Sequence, residues 1–252
     1  MELHPVMEFL EDGSDGYPTS AYFAVSTRYG TPADFAALVD ELHQVGIGVI
    51  LDWSPAQFPR YAGGLEKFDG TALYEVKDPE MAVHPMWGTM LYNYDSPMVM
   101  DFLISNACFW LEVFHVDGLR MDDVDAMLYL DYGRKDGWTP NMYGSNENLP
   151  AIEFLKHLNS VIKERNPGLL LVAQENGLWP ELTDSVENDH LGFDYKWSGG
   201  WTKDLLEYLS KDPIERKNYH DQLTMSHALC ILRTLYSDAW QQGCWYIEGF
   251  RG

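Results

Sequence analysis

The stretch Val116-Asp117-Gly118-Leu119-Arg120-Met121-Asp122-Asp123-Val124 decides the fold. It reads as a buried strand that ends in charge. An arginine and two consecutive carboxylates follow directly on apolar residues, where burial is costly unless they face a polar cleft or pair with one another. At the C-terminal end of a parallel strand such groups face a shared cleft. Arg120 and Asp122 stand two apart and so project to the same side of a strand. A fixed cation at that distance lowers a carboxylate pKa and keeps it ionised, which a nucleophile requires. Asp117, which opens the strand, and Asp123, in the loop after it, read as structural.

Outward from this stretch, helical and strand patterns alternate, the mark of a parallel sheet with crossover helices. Thr31-Pro32-Ala33-Asp34 supplies a cap and a first-turn proline, and Phe35, Leu38, Val39 and Leu42 recur at helical spacing until Gly46. Ile47 to Leu51 then reads as a strand covered on both faces, ending in Asp52-Trp53-Ser54-Pro55. Ser96-Pro97 opens a helix that delivers the chain to Val116. Ile152 to Arg165 is a further helix, Leu169 to Ala173 a strand ending in Gln174-Glu175-Asn176, and Leu191 to Trp197 another before a helix from about Thr202 to Ser210. Polar residues thus gather after apolar strands at Asp52, Asp122, Glu175, Asp194 and Lys196. In a (β/α) barrel those positions share one face, so Asp52, Asp122 and Glu175 are expected to open onto one cleft. A lone strand-end aspartate such as Asp52 is more often a helix cap or turn former.

Composition narrows the partners. With 252 residues and 46% hydrophobic content, the chain can bury a large core, and one domain is expected. There is no 18-residue apolar run, and Glu2, His4 and Glu8 occupy the N-terminal segment, so neither a membrane span nor a signal peptide is expected. Cys108, Cys230 and Cys244 are odd in number and form no C-x-x-C pattern, which argues against a disulfide framework or zinc site and fits a reducing, cytoplasmic setting. A formal charge of -22 would repel a phosphate backbone, so no nucleic-acid partner is expected. Nine Trp and fifteen Tyr offer flat faces of the kind that stack on sugar rings, although most aromatics in any chain serve the core. No G-x-G-x-x-G or P-loop follows any strand, which weakens a nucleotide-binding reading.

The segment Asp117-Gly118-Leu119-Arg120-Met121-Asp122 resembles the D-G-x-R-x-D nucleophile region of the alpha-amylase superfamily. Further segments narrow the resemblance to the bacterial 1,4-alpha-glucan (glycogen) branching enzymes of glycoside hydrolase family 13. These are Leu3-His4-Pro5-Val6-Met7-Glu8, Gly16-Tyr17 through Tyr29-Gly30-Thr31-Pro32, Gly46 to Trp53, Phe68 to Glu75 with His84-Pro85-Met86-Trp87-Gly88-Thr89, Met127 to Tyr132, Asn146 to Leu149, and Leu223-Thr224. The similarity runs to about residue 225.

The resemblance implies a partial (β/α)8 TIM barrel over 1–225, with strands missing at both ends, and a divergent tail over 226–252. It implies retaining transfer on an alpha-1,4-glucan such as glycogen or amylose: a chain is cut, held covalently, and passed to a 6-hydroxyl. Retention needs a carboxylate nucleophile and a second carboxyl group about 5 Å away acting as acid and then base. The resemblance makes Asp122 the nucleophile and Arg120 its electrostatic partner, and sets Tyr17, Asp52, Trp53 and Gln57 beside substrate. No metal or organic cofactor is implied, and oligomeric state is not read. Four departures stand out. Gln174 occupies the family's acid/base position, so catalysis would require Glu175 to enter it by a one-residue shift. Gln57 replaces a substrate-binding His, and Asp15 replaces a Trp. The last-region carboxylate has no counterpart, Asp238 being the only carboxylate nearby. Two readings follow: a branching enzyme or a catalytic-domain part of one, weak or inactive in this form, and an inactive glucan-binding remnant.

Overall fold

The computed structural model describes residues 1–176, 179–197 and 199–221. Leu223-Thr224, Asp238 and the expected tail 226–252 lie outside the described residues. In chain order, β1 (Glu2–Leu3) leads to an antiparallel pair, β2 (Met7–Phe9) and β3 (Thr19–Val25). Helix α1 (Pro32–Gln44) begins as its sequence dictates. Asp34 N–H donates to Thr31 Oγ1 at 3.2 Å, and Thr31 N–H donates to the Asp34 carboxylate at 2.8 Å, closing a capping box ahead of Pro32. Gly46, at φ 78°, ends the helix, and Ile47 N–H donates back to Leu42 O at 2.9 Å. That bond commits Ile47 to the helix end, which is why β4 runs Ile50–Trp53 and not from Ile47.

Beyond β4 come β5 (Gln57–Phe58), α2 (Pro79–Ala82), β6 (Met90–Leu91) and α3 (Pro97–Val113). The second half holds β7 (Gly118–Met121), α4 (Val124–Leu128), α5 (Leu149–Arg165), β8 (Leu170–Gln174), β9 (Tyr195–Trp197) and α6 (Gly199–Ser210). The central sheet is ordered β1-β4-β7-β8-β9, and every neighbouring pair is parallel. Strands therefore follow one another around the sheet in chain order, without the reversal of a doubly wound fold. This is the wall of a partial (β/α)8 barrel, with α1, α3 and α5 returning the chain between strands.

Register divides the sheet into two chemically different faces. Asp52 aligns with Arg120, Arg120 with Val172, and Val172 with Tyr195, so these positions share one face. One residue on, Trp53, Met121, Ala173 and Lys196 form the opposite row. Leu51, Trp53, Leu119, Met121, Leu171 and Ala173 on that second face are fully buried and belong to the core, which also takes in Leu103 and Trp110 of α3 and Phe154, Leu155 and Leu158 of α5. The strands are thus apolar toward the helices and polar toward the barrel interior.

Two contacts fix the layers. Trp53 Nε1 donates to Asn106 Oδ1 of α3 at 2.8 Å, while Asn106 Nδ2 and Trp110 Nε1 both donate to Tyr22 O of β3, at 2.6 and 3.0 Å. Between β7 and β8, Gly118 lies so close that a Cβ there would meet Leu170 O at 2.4 Å. No residue with a side chain fits at that position without parting the strands.

Candidate functional site

Arg120 is the hub of the interior face. Only 7% exposed, it donates from Nη1 to Asp52 Oδ2 at 2.7 Å, and that nitrogen lies 3.2 Å from Asp122 Oδ1. Its Nη2 donates to Gln174 Oε1 at 2.8 Å, and its Nε faces Glu2 Oε1 at 3.6 Å. The Tyr17 hydroxyl donates to the same Asp52 oxygen and accepts from Arg120 Nη1 at 3.3 Å. The Trp197 ring lies 5.4 Å from the guanidinium carbon. One side chain thereby joins β1, β4, β7 and β8 with the loop before β3. It brings together Tyr17, Asp52, Asp122 and Gln174, of which the first three and Arg120 were expected at one cleft.

Three expected residues lie elsewhere. Glu175 does not share the cleft of Asp52 and Asp122, because alternation sends it to the face opposite Gln174. It is fully buried, ion-pairs with Lys196, and leaves Oε1 without a partner. Its neighbour in charge is Asp125 of α4, whose pKa is raised by burial and then by Glu175. The one-residue shift that would carry Glu175 into the position of Gln174 is therefore not made. Trp53, next to Asp52 on a strand, points the other way for the same reason and is spent on Asn106. Gln57 is buried on β5, where its side-chain oxygen accepts from the Thr89 hydroxyl and its carbonyl accepts from Tyr22 Oη at 2.8 Å.

The electrostatics also differ from expectation. Burial first, and the Asp123 carboxyl second, push the Asp122 pKa up to about 8 against the pull of Arg120. Arg120 fails to hold it down because its closest carboxylate is Asp52, and it is shared with Gln174 and Glu2 as well. Asp123, expected to be merely structural, takes a left-handed conformation at φ 50° and hydrogen-bonds Asp122. Its own pKa is raised by burial. Burial and then Asp52 likewise raise Glu2. Burial and the neighbouring Asp123 carboxyl thus work against ionisation of Asp122, while Arg120 works for it. Asp117 is structural as expected, its Oδ2 accepting from Val49 N–H at 2.6 Å and meeting His43 Nε2 at 2.7 Å.

Glu2, Trp197 and the Asp125–Glu175–Lys196 group escaped sequence reasoning. Glu2 carried a usable signal, since it alternates with Leu3 on the strand beside Asp52. Asp125 stands three residues from Asp122, one helical turn on. Among the described residues, no group of three or more His, Cys, Asp or Glu is placed to hold a metal ion, and no helix is long and apolar enough to cross a membrane.

Comparison with known proteins bears on this arrangement. The chain is 54% identical over 225 residues to the 1,4-alpha-glucan branching enzyme GlgB of Methylococcus capsulatus, a match covering 89% of the chain and 30% of that protein. It is 51% identical over 227 residues to GlgB of Thermobifida fusca, covering 90% of the chain and 30% of the relative. Over about 90% of its length the chain is a homologue of the branching enzymes. It spans about 30% of the length of these relatives. A scan against protein-family models finds no match. The fold is that of the crystal structure of an alpha-amylase from Geobacillus thermoleovorans complexed with acarbose, with a TM-score of 0.58 and 17% identity over 81% of this chain and 42% of that one. In this chain the Arg120 hub holds Gln174, the position at which the sequence resemblance implies an acid/base carboxyl.

Proposed function

We propose that the Arg120 cleft handles an alpha-1,4-glucan, as the catalytic-domain part of a 1,4-alpha-glucan branching enzyme working in cytoplasmic glycogen synthesis. The observation that carries this reading is the convergence of Tyr17, Asp52 and Asp122 on one buried guanidinium at the ends of parallel strands. In the retaining reaction the Asp122 carboxylate bonds to the anomeric carbon as the glycosidic C–O bond breaks, and with Gln174 an amide the leaving oxygen takes its proton from water. In the second half a glucan 6-hydroxyl attacks that carbon, passes its proton to water, and releases Asp122 as a carboxylate. Asp52 and Tyr17 hold Arg120, and Arg120 orients Asp122.

Two observations favour binding without efficient transfer in this form. Gln174 faces the cleft as an amide, which cannot protonate a leaving oxygen, while Glu175 is buried on the far side of the sheet. Burial and Asp123 push the Asp122 pKa upward, which lowers the share of the ionised form that attacks. The test is incubation with amylose, following loss of the long-chain iodine colour and new alpha-1,6 linkages by NMR, with Asp122→Asn and Gln174→Glu beside the parent. We expect little branching from the parent, none from Asp122→Asn, and at least a tenfold increase with Gln174→Glu, since a positioned acid contributes about 10²–10⁴-fold. Strong branching by the parent would overturn the binding-only reading. Absence of both amylose binding and branching in all three proteins would overturn the glucan assignment.

A further inference from the structure

Trp87 lies in a loop that the mechanism above leaves unused. Its indole stacks on the His84 imidazole, with ring centroids 3.7 Å apart and planes at 10°. His84 is buried, and its Nδ1 accepts from the N–H groups of Met86 and Trp87, both at 3.3 Å. Burial, then Arg134, pulls its pKa down to about 4, so it backs the indole as a neutral ring. One face of Trp87 is thus covered, yet the residue remains 37% exposed. Tyr132 flanks the pair, tilted by 50° with its ring centroid 6.2 Å from Trp87.

The support beneath these rings is rigid. Arg134 donates to the carbonyls of Glu80, Met81 and Val83 at 3.2, 3.1 and 2.7 Å, tying the loop after α4 to the segment that leads into His84. Gly133, at φ 69°, packs so closely that a Cβ would sit 3.1 Å from Met86 Cγ. The Tyr132 hydroxyl is within electrostatic range of Asp125 first, and then of Asp123 and Asp122. An exposed aromatic face held from behind, near those carboxylates, suits a neutral ligand with a C–H face and hydroxyl edges. An anion would be repelled.

We propose that Trp87, backed by His84 and flanked by Tyr132, is a stacking platform for a pyranose ring of an alpha-glucan chain. This rests on the glucan reading above and assigns it a second point of contact. Pinning a ring there preorganises the chain at little entropic cost, since the platform is already fixed.

Maltoheptaose binding by isothermal titration calorimetry tests this with the parent, Trp87→Ala and Trp87→Phe, with melting curves on each. Trp87→Ala is expected to weaken binding about tenfold, the order of one lost ring-stacking contact, and Trp87→Phe to retain most of the affinity. If the parent binds and Trp87→Ala binds equally well, whatever its melting point, the platform is overturned and the glucan reading stands. If the parent binds no maltoheptaose, the glucan reading itself falls and takes the platform with it.

Discussion

Arg120 faces more carboxylate than one guanidinium can neutralise. Asp52, Asp122 and Glu2 all draw on it, Asp123 crowds Asp122, and the amide of Gln174 accepts from Nη2. The consequence is a raised Asp122 pKa, which carries a pH signature. A carboxyl raised from the model-peptide value of 3.8 to about 8 binds more protons folded than unfolded. Its stabilising share is therefore fully present below pH 3.8, declines as pH rises, and is gone above about pH 8. Asp122→Asn removes that titration. Urea unfolding at pH 5, 7 and 9 should show the variant gaining on the parent as pH rises, with the largest advantage at pH 9. A difference that stays constant across that range would show Asp122 to be ionised throughout. The reading of Arg120 and Asp122 as same-side neighbours was legible in their spacing. The direction of the pKa was not, because it depends on burial and on the left-handed turn at Asp123, neither of which spacing encodes.

At the scale of elements, the strand pattern was legible wherever apolar runs met polar ends, and the helices wherever a cap preceded a periodic face, as at Thr31. Strand beginnings were less so, since Ile47 is apolar yet serves a helix end. The rule of alternation, applied to neighbours, would have separated Asp52 from Trp53 and Gln174 from Glu175 without coordinates. Grouping by strand end alone hid it, because a strand end presents both faces at once. Alternation also makes Gly118 decisive. A side chain there collides with Leu170 O at the point where β7 starts its pairing with β8. Gly118→Ala should destabilise the fold by about 3 kcal/mol, at the upper range of overpacking costs. Denaturant melts would register it, and a loss under about 1 kcal/mol would mean that β7 and β8 can part locally without cost.

The whole molecule carries a formal charge of -22, and that excess opposes compaction. Screening should relieve it, so the thermal midpoint is expected to rise by a few degrees between about 10 and 300 mM NaCl, where the Debye length shrinks from roughly 30 to under 8 Å. A flat or falling midpoint would mean that local ion pairs such as Lys163–Asp194 outweigh the global repulsion. The barrel order of the strands was legible because alternating helix and strand patterns without a nucleotide loop leave few other architectures. The aromatic platform was not, since a tryptophan in sequence does not say which of its faces is covered. The hub described above has one more use. Because a single guanidinium touches side chains from four strands, its hydrogens sit at the seam of the entire sheet. An Arg120 Nε–Hε resonance in a nitrogen-15 spectrum would act as a clock for the first edge of that sheet, since Nε is buried and faces Glu2 of β1 at 3.6 Å, so that exchange with water would follow movement of that strand. Its rate would report how often that edge of the barrel wall breathes, independently of any ligand.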